Sequence, residues 1–166
     1  DLPGVVEPAS GLVLSIPDRS QPELNRLVLM EGNLPEAGRS GAVAISQAFA
    51  EANGFAPGDS FSATMGGVRR TLDITGIVLS PEFIYSIGPG QLMPDNQRFG
   101  IIWMRYSEAA AIFDLGGAFN SVTLKLSRDA SETAVIESVD ELLKPYGGTG
   151  AYGRAQQVSY AFLDSE

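Results

Sequence analysis

Short apolar runs, each closed by a turn-forming residue, recur along this chain and constrain its fold more than any other feature. The run at 11–16 ends at Pro17, and the run at 26–30 leads into a turn at 31–33. Apolar runs of this length that are bounded by Gly, Pro or Asn are typical of β-strands. The sequence therefore predicts short strands from its first residues onward.

Further strands are predicted in the middle of the chain, at 42–45, 61–64, 71–79 and 99–104. Leu72, Ile74 and Val78 alternate with other residues well enough for a sheet with one buried face. The Gly66-Gly67 pair separates two of these strands. Because glycine adopts positive φ without strain, the pair predicts a tight hairpin at this point.

Short helices are predicted beside these strands. Ser46 is the expected N-cap of a helix at 47–53, and Gly54 supplies the left-handed residue that ends it. The expected apolar face of this helix consists of Ala48, Phe49 and Ala52. Ser107 is the expected cap of a second helix that runs through Phe113.

The C-terminal part of the chain shows a strand–helix–strand pattern. Residues 121–126 alternate apolar and polar side chains, which predicts a half-buried strand. Asp129 and Glu132 have the spacing of a capping box before a helix over 131–144. The apolar stripe predicted on that helix consists of Val135, Ile136, Val139, Leu142 and Leu143. A final extended segment is predicted at 155–162.

These elements together predict an α+β fold with two lobes. Residues 1–25 and 118–166 are expected to form a small βαβ-type base layer, in which the helix at 131–144 covers a sheet. Residues 26–117 are expected to form a β-rich lobe inserted into that base. The break at Gly116-Gly117 is the expected point of return to the base.

Charge and residue usage argue against several classes of function. The net charge of −9 argues against nucleic-acid binding, which needs clustered Lys and Arg side chains. The chain has no Cys and no His, so it lacks a thiol nucleophile and the commonest general base and metal ligand. We therefore predict a protein that is not an enzyme and holds no cofactor or metal. Carboxylate-only catalysis and calcium binding stay open at this point.

Motifs with known catalytic or phosphate-binding chemistry are not evident. The glycines at 147–150 follow a predicted helix and lack the Lys of a phosphate-binding loop. Paired carboxylates such as Asp140 and Glu141 are expected on the solvated face of a helix. Arg69-Arg70 is the only basic pair, and we interpret it as the solvated flank of a turn.

The segment at 80–94 is the candidate interaction site. It is the longest irregular stretch, and long loops inside compact domains are often functional. It carries aromatic, Met and branched apolar side chains, which are typical of contact surfaces. The candidate partner or substrate contacts are Phe83, Ile84, Tyr85, Ile87, Leu92 and Met93. The alternative, that these side chains pack onto the sheet, stays open.

Several short motifs follow one another in order between residues 27 and 79. They are Leu27-Val28-Leu29-Met30-Glu31-Gly32-Asn33-Leu34-Pro35, Ala42-Val43-Ala44-Ile45-Ser46, Ala52-Asn53-Gly54, Ala56-Pro57-Gly58-Asp59-Ser60-Phe61 and Leu72-Asp73-Ile74-Thr75-Gly76-Ile77-Val78. Their order and spacing resemble the extracytoplasmic core domain of FtsX-like or MacB-like ABC transporter permeases, the MacB-like periplasmic core domain. A weaker match continues through 99–104, 122–126 and 131–144. The first strand and helix of the base lobe are shortened or absent relative to that family.

The resemblance implies a periplasmic or extracellular domain of a parent protein in the inner (cytoplasmic) membrane. The base lobe, 1–25 with 118–166, would then be the membrane-proximal one. ATP hydrolysis would take place on a separate cytoplasmic ATPase subunit, to which this domain would be coupled through membrane helices outside the chain. The implied partners outside the membrane are a periplasmic partner protein or a lipoprotein or peptide cargo, and the implied parent is a dimeric transporter.

Two other functions remain as alternatives. A free-standing extracellular module that binds peptide or carbohydrate would be favoured by Trp103 and Tyr85 exposed in a shared groove. A carboxylate-dependent hydrolase would require two buried, converging Asp or Glu side chains. No stretch approaches the roughly 18 apolar residues of a membrane span.

Overall fold

The computed structural model describes residues 9–84, 88 and 93–157. The chain divides into two compact units, Asp1–Ser121 and Val122–Glu166. The strands of the first unit are β1 (Ser10–Ile16), β2 (Val28–Gly32), β3 (Ala42–Ser46), β4 (Ser60–Met65), β5 (Val68–Leu79) and β6 (Phe99–Arg105). Its helices are α1 (Gln47–Asn53) and α2 (Tyr106–Phe113), and the second unit contains α3 (Glu132–Leu143).

The six strands of the first unit form one mixed sheet. Its main path runs β1-β6-β3-β5-β2, and β4 also pairs with β5. β1 is parallel to β6 and β3 is parallel to β5, whereas β6 and β3 are antiparallel. β2 and β4 are both antiparallel to β5. The predicted α+β fold with a sheet at its core is therefore confirmed.

β5 is long enough to pair with three other strands of this sheet. Its first half pairs with β4, and its second half pairs with β3 on one edge and β2 on the other. The β4–β5 hairpin closes through Gly66 and Gly67, whose φ angles are 57° and 77°. Positive φ at both central residues is the geometry of a type I′ turn, so the hairpin predicted from the Gly-Gly pair is confirmed.

Both faces of the sheet are buried. On one face, side chains such as Val43, Ile45 and Ile102 pack with α1 and α2 residues in a single cluster. On the other face, Ala44 and Trp103 belong to a second cluster that contains no helical residue. Loop residues cover that second face, namely Leu27, Leu34 and Phe83. Neighbouring residues of β3 and β6 thus enter opposite cores, as the period of two in a strand requires.

The helix starts differ from the sequence-based expectations. Ser46 is at the N-cap position of α1, but its side chain makes no capping hydrogen bond. Ser107 lies in the first turn of α2, which begins at Tyr106. Gly54 ends α1 with a φ of 67°, as predicted. The predicted apolar face of α1 is wrong in part, because Phe49 and Ala50 are buried whereas Ala48 and Ala52 are exposed. The helix is short and docks through one turn only.

The second unit consists of α3 and a segment that returns beside it. Ser131, rather than Asp129, is the N-cap, and its hydroxyl accepts a hydrogen bond from the backbone N–H of Ala134. At the other end of α3, the N–H of Gly148 donates to the carbonyl of Leu143 at 3.0 Å. The N–H of Ala151 donates to Asp140 Oδ1 at 2.6 Å. The segment after α3 therefore runs back along the helix.

The predicted strand at 121–126 is wrong for the described chain. These residues form no strand, and Val122 and Leu124 are about half exposed. Alternation predicts a strand only where a sheet edge is available to pair with it, and no described strand pairs with this segment. In the predicted extended segment at 155–162, residues 155 and 156 belong to a short 3-10 turn (Arg154–Gln156), and residue 157 lies in no strand. Residues 158–162 lie outside the described residues.

The predicted division into a base lobe and an inserted lobe stays a prediction. Within the described residues, β1, assigned to the base lobe with 118–166, pairs along its whole length with β6. Along the chain, the boundary between the two compact units falls between residues 121 and 122, close to the predicted return at Gly116-Gly117. Among the described helices, none is long and apolar enough to cross a membrane.

Candidate interaction surface

Phe83, the first of the predicted contact residues, lies against the core. Its ring meets Trp103 edge-on, with the two centroids 6.2 Å apart. It is half-buried and packs on the cluster that covers the face of the sheet opposite the helices. For this side chain the structure favours the alternative reading, in which the loop packs onto the sheet.

The remaining predicted contacts divide into exposed residues and residues outside the description. Ile84 is 51% exposed and Met93 is 74% exposed, so both side chains are available to a partner. Tyr85, Ile87 and Leu92 lie outside the described residues. Their role in contacting a partner stays a prediction.

The described ends of the 80–94 loop are anchored to the rest of the unit. Ser80 is buried, and its carbonyl accepts the N–H of Phe83 at 3.2 Å. Asn25 Nδ2 donates to Glu82 Oε2 at 2.9 Å, which ties the loop to the segment before β2. After the loop, the N–H of Arg98 donates to Asp95 Oδ1 at 3.1 Å. These bonds place Phe83 and Ile84 on a defined turn directly after β5.

Two shallow depressions mark the surface of the first unit. The larger, of about 550 Å³, lies between the end of α1 and the chain before β6 and is lined by Ala52 and residues 93–98. The smaller, of about 300 Å³, contains both Arg70 and Glu108. Glu108 is already engaged there, because its Oε1 accepts the N–H of Gly41 at 2.6 Å and the hydroxyl of Ser40 at 3.0 Å. Neither depression brings together a set of reactive side chains.

A polar cluster joins the segment after β1 to the start of α2. The Arg105 guanidinium donates to the carbonyls of Pro17, Ser20 and Pro35. Asp18 Oδ1 accepts both the N–H and the hydroxyl of Ser107, at 3.0 and 2.9 Å. An acceptor at a helix start satisfies a free N–H and opposes the positive end of the helix dipole. The bonds from Ser107 keep the pKa of Asp18 below its ordinary value of 3.8.

Asp18→Asn should lower the melting temperature at neutral pH. The variant's melting temperature should also fall less than that of the unchanged protein when the pH is lowered to 2. The folded-state pKa of Asp18 is lowered, so its stabilisation is fully present above pH 3.8 and is lost as pH falls through the folded-state value. Thermal melts between pH 2 and 7 check this, with Glu23→Gln, an exposed carboxylate, as the control. An Asp18→Asn difference that persists undiminished at pH 2 would contradict it.

Three of the five motif segments that carry the family resemblance meet at one point of the fold, which we call the motif junction: Gly32, Asn33, Pro57, Thr75 and Gly76. The N–H of Asn33 donates to the carbonyl of Thr75 at 2.8 Å. Gly32 has a φ of 69°, and a Cβ there would lie 2.9 Å from Pro57 and closer still to the Thr75 carbonyl. A Cβ on Gly76 would likewise overlap the Asn33 carbonyl.

The Ala56-Pro57-Gly58-Asp59 motif is bound beside this junction. Asp59 Oδ2 accepts the N–H of Ala56 at 2.8 Å, which closes the turn. The N–H of Gly58 donates to the carbonyl of Ile74, and the N–H of Ile74 donates to the carbonyl of Asp59, both at 2.8 Å. The glycine, proline and aspartate positions of the motifs are therefore explained by backbone packing around β5. They supply no reactive group.

An exposed apolar surface that the sequence reasoning missed lies along β2. It consists of Val28, Leu29, Met30 and Leu79, which are 56%, 43%, 46% and 46% exposed, and we call it the β2 edge surface. Val28 and Leu79 are direct cross-strand partners. β2 ends the main path of the sheet, so its outer edge has no strand beside it among the described residues. Unpaired edges with apolar side chains are sites at which other chains pair.

The loop that follows β5 adjoins the β2 edge surface. Leu79 is the last residue of β5, and the turn at Ser80 begins immediately after it. The Asn25–Glu82 hydrogen bond brings this turn to the segment that enters β2. The predicted contact Ile84 lies two residues after Glu82 in this loop. The run Leu27-Val28-Leu29-Met30 gave no signal for this surface, because a continuous apolar run is also the pattern of a strand that is buried on both faces.

The helix of the second unit leaves its apolar stripe uncovered in part. Leu142 is 71% exposed, and no residue of α3 is fully buried within the described chain. Tyr146 and Tyr152, which follow the helix, are 85% and 65% exposed. The stripe was predicted correctly from its spacing, but the expected burial against a sheet is not observed among the described residues.

The described residues do not provide the features that a carboxylate-dependent hydrolase or a peptide- or carbohydrate-binding groove would require. Trp103 is only 4% exposed, so it cannot offer a ring to a ligand. Ser80 is the one buried polar or charged side chain in the described part, so no pair of buried carboxylates converges there. No group of three potential metal-ligating side chains occurs among residues 9–84, 88 and 93–157.

Comparison with known proteins adds no relative to this description. No family model, curated protein or solved structure matches the chain.

Proposed function

We propose that this chain is a non-catalytic domain of an ABC transporter permease that lies outside the cytoplasmic membrane. In this role it couples ATP hydrolysis on a cytoplasmic ATPase subunit to the handling of a substrate or partner protein. The proposal starts from the resemblance of residues 27–79 to the core domain of FtsX-like and MacB-like permeases. No bond-making chemistry is assigned to the chain.

The observation that carries the proposal is the motif junction. Three of the motif segments are separated in sequence, yet Gly32, Asn33, Pro57, Thr75 and Gly76 meet around β5. Their convergence supports a shared folding module as the source of the resemblance.

The exposed apolar surfaces support a role in contact with other proteins. The β2 edge surface and the uncovered stripe of α3 place large apolar side chains in solvent. Such surfaces are typical of sites that bind another protein or segment. A domain that transmits motion to a partner needs this kind of surface and needs no reactive side chain.

The location can be tested with single cysteines, because the chain has none of its own. Met93→Cys is introduced into the parent protein after removal of any cysteines elsewhere in it. We expect a membrane-impermeant maleimide to label this site, which is 74% exposed, on intact spheroplasts. Ala44→Cys, at a position that is 0% exposed, serves as the control and should react only after denaturation.

Two results would overturn the proposed location. One is labelling of Met93→Cys only after the spheroplasts are lysed, which would place the domain in the cytoplasm. The other is recovery of the parent protein in the soluble fraction, because a permease is an integral membrane protein.

A further inference from the structure

We propose that two copies of this chain associate by strand addition, residues 122–126 of one copy pairing with the outer edge of β2 in the other. This association would occur whether or not the chain belongs to a permease. Two features support it. The outer edge of β2 has no described strand beside it, and residues 122–126 have a strand-like pattern but pair with no described strand.

The acceptor is the outer edge of β2. The inner edge of this strand pairs with β5, while its outer backbone groups face no described strand. Its first three side chains, Val28, Leu29 and Met30, are between 43% and 56% exposed. An added strand would cover these side chains and pair the N–H and C=O groups that face no described strand, which is the physical basis of strand addition.

The donor is the segment at 122–126. It has the alternating pattern of a half-buried strand, with Val122, Leu124 and Leu126 on one side. In the structure this segment pairs with no described strand, and Val122 and Leu124 are 50% and 55% exposed. A segment that carries a strand pattern without a sheet gains both backbone hydrogen bonds and apolar burial when it joins an edge.

Charge and side-chain pattern match in the parallel register. Glu31 is the only charged residue of β2, and Lys125 is the only charged residue of the donor segment. Both segments place the charge three residues after a valine, so aligning Glu31 with Lys125 also aligns Val28 with Val122. Between these two pairs β2 shifts register in its pairing with β5, from Leu29 to Glu31, so the intervening residues are not matched one to one. Opposite charges and apolar pairs across strands each stabilise pairing.

The other edge of the sheet is a poorer acceptor. β1 carries no charged residue that could select Lys125. Its most exposed large apolar side chain is Leu12, at 39%, whereas three adjacent residues of β2 exceed that value. The β2 edge therefore combines larger apolar exposure with charge complementarity.

Two-fold symmetry permits a closed dimer. Each copy carries one donor segment and one acceptor edge, so a reciprocal exchange about a two-fold axis satisfies both. No donor or acceptor then remains at the ends of the assembly. The same pairing without closure would give open chains of copies, which the size measurement below distinguishes.

The first experiment mixes two cysteine variants of the full chain that carry different tags. Val28→Cys in one copy and Val122→Cys in the other should form a disulfide between the tags under mild oxidation. Both positions are exposed, so neither change disturbs the core. Val68→Cys, at 52% exposure on β5, replaces Val28→Cys as the control and should cross-link at least tenfold less.

The second experiment measures the dimerisation constant by sedimentation. Lys125→Glu should weaken the dimer about tenfold, because two exposed ion pairs across the interface, one for each donor segment, become repulsive. The double variant Glu31→Lys with Lys125→Glu should restore the constant. Lys144→Glu makes the same charge change at an exposed site outside the donor segment and should have no effect.

Several outcomes would overturn the proposal. A chain that remains monomeric at all concentrations would do so. A disulfide that forms only when Val28→Cys and Val122→Cys are placed in the same molecule would show that the donor serves its own chain. A double charge variant no better than Lys125→Glu alone would remove the assigned register. None of these results bears on the location test with Met93→Cys.

Discussion

Gly32→Ala is expected to destabilise the first unit by about 3 kcal/mol or more. A residue with a side chain at φ 69° adopts the left-handed region, which costs about 1–2 kcal/mol. The added Cβ would also overlap the Thr75 carbonyl and lie 2.9 Å from Pro57, so the backbone of β2 or the turn at 56–59 must move. That movement weakens the Asn33–Thr75 hydrogen bond as well.

Thermal unfolding provides the measurement. For a chain of this size, about 3 kcal/mol corresponds to a fall in melting temperature of about 6–12 °C. Gly76→Ala should behave in the same way, because its Cβ would overlap the Asn33 carbonyl at the same junction. Gly116→Ala is the matched control, since nothing lies within 4 Å of its Cβ position and its φ is not positive. Equal melting temperatures for Gly32→Ala and Gly116→Ala would disprove the structural role of the junction.

Phe83→Ala is expected to destabilise the first unit by about 2 kcal/mol. Replacing a fully buried Phe with Ala lowers the free energy of unfolding by about 3–5 kcal/mol. Phe83 is only half-buried, so the expected loss is smaller. Its edge-on contact with Trp103 adds to the loss, since aromatic pairs contribute about 0.5–1.5 kcal/mol beyond burial. Removal of the ring would also expose part of Trp103, which the ring contacts.

Ile84→Ala is the matched comparison for this loop. The side chain is 51% exposed, so its removal should change the free energy of unfolding by less than about 0.5 kcal/mol. If the chain is the permease domain proposed above and the loop contacts a partner, this variant of the parent protein should reduce transport while leaving basal ATP hydrolysis unchanged. Unfolding by denaturant separates the two variants. A stable Phe83→Ala, or a strongly destabilised Ile84→Ala, would reverse the roles that the structure assigns to them.

Only part of the candidate site could be predicted from the sequence. The loop at 80–94 was identified from its length and its apolar content, which are both properties of the sequence alone. Whether Phe83 or Ile84 faces the core depends on the bonds that anchor the loop, especially Asn25 with Glu82, which are 57 residues apart. The β2 edge surface was missed because a strand's position in the sheet is set by pairings with distant residues.

The strand expected at 121–126 shows the same limit. Alternation is a local property that any amphipathic strand shares, whether or not a partner edge exists. Pairing is a property of two segments, and no described strand pairs with this one. The apolar stripe of α3 was likewise correct as a pattern, whereas the cover that it implied depended on other elements.

The sequence by itself determined the local structure: the strands and α1 of the first unit, the Gly66-Gly67 hairpin, the left-handed end at Gly54 and the absence of Cys and His chemistry. Each of these follows from backbone preferences or residue identity within a few positions. Only the tertiary structure decided that β5 serves three neighbours, that three of the motif segments meet at Gly32 and Gly76, and that β2 lies at an open edge. Those features depend on contacts between residues far apart in the chain, which no local pattern encodes.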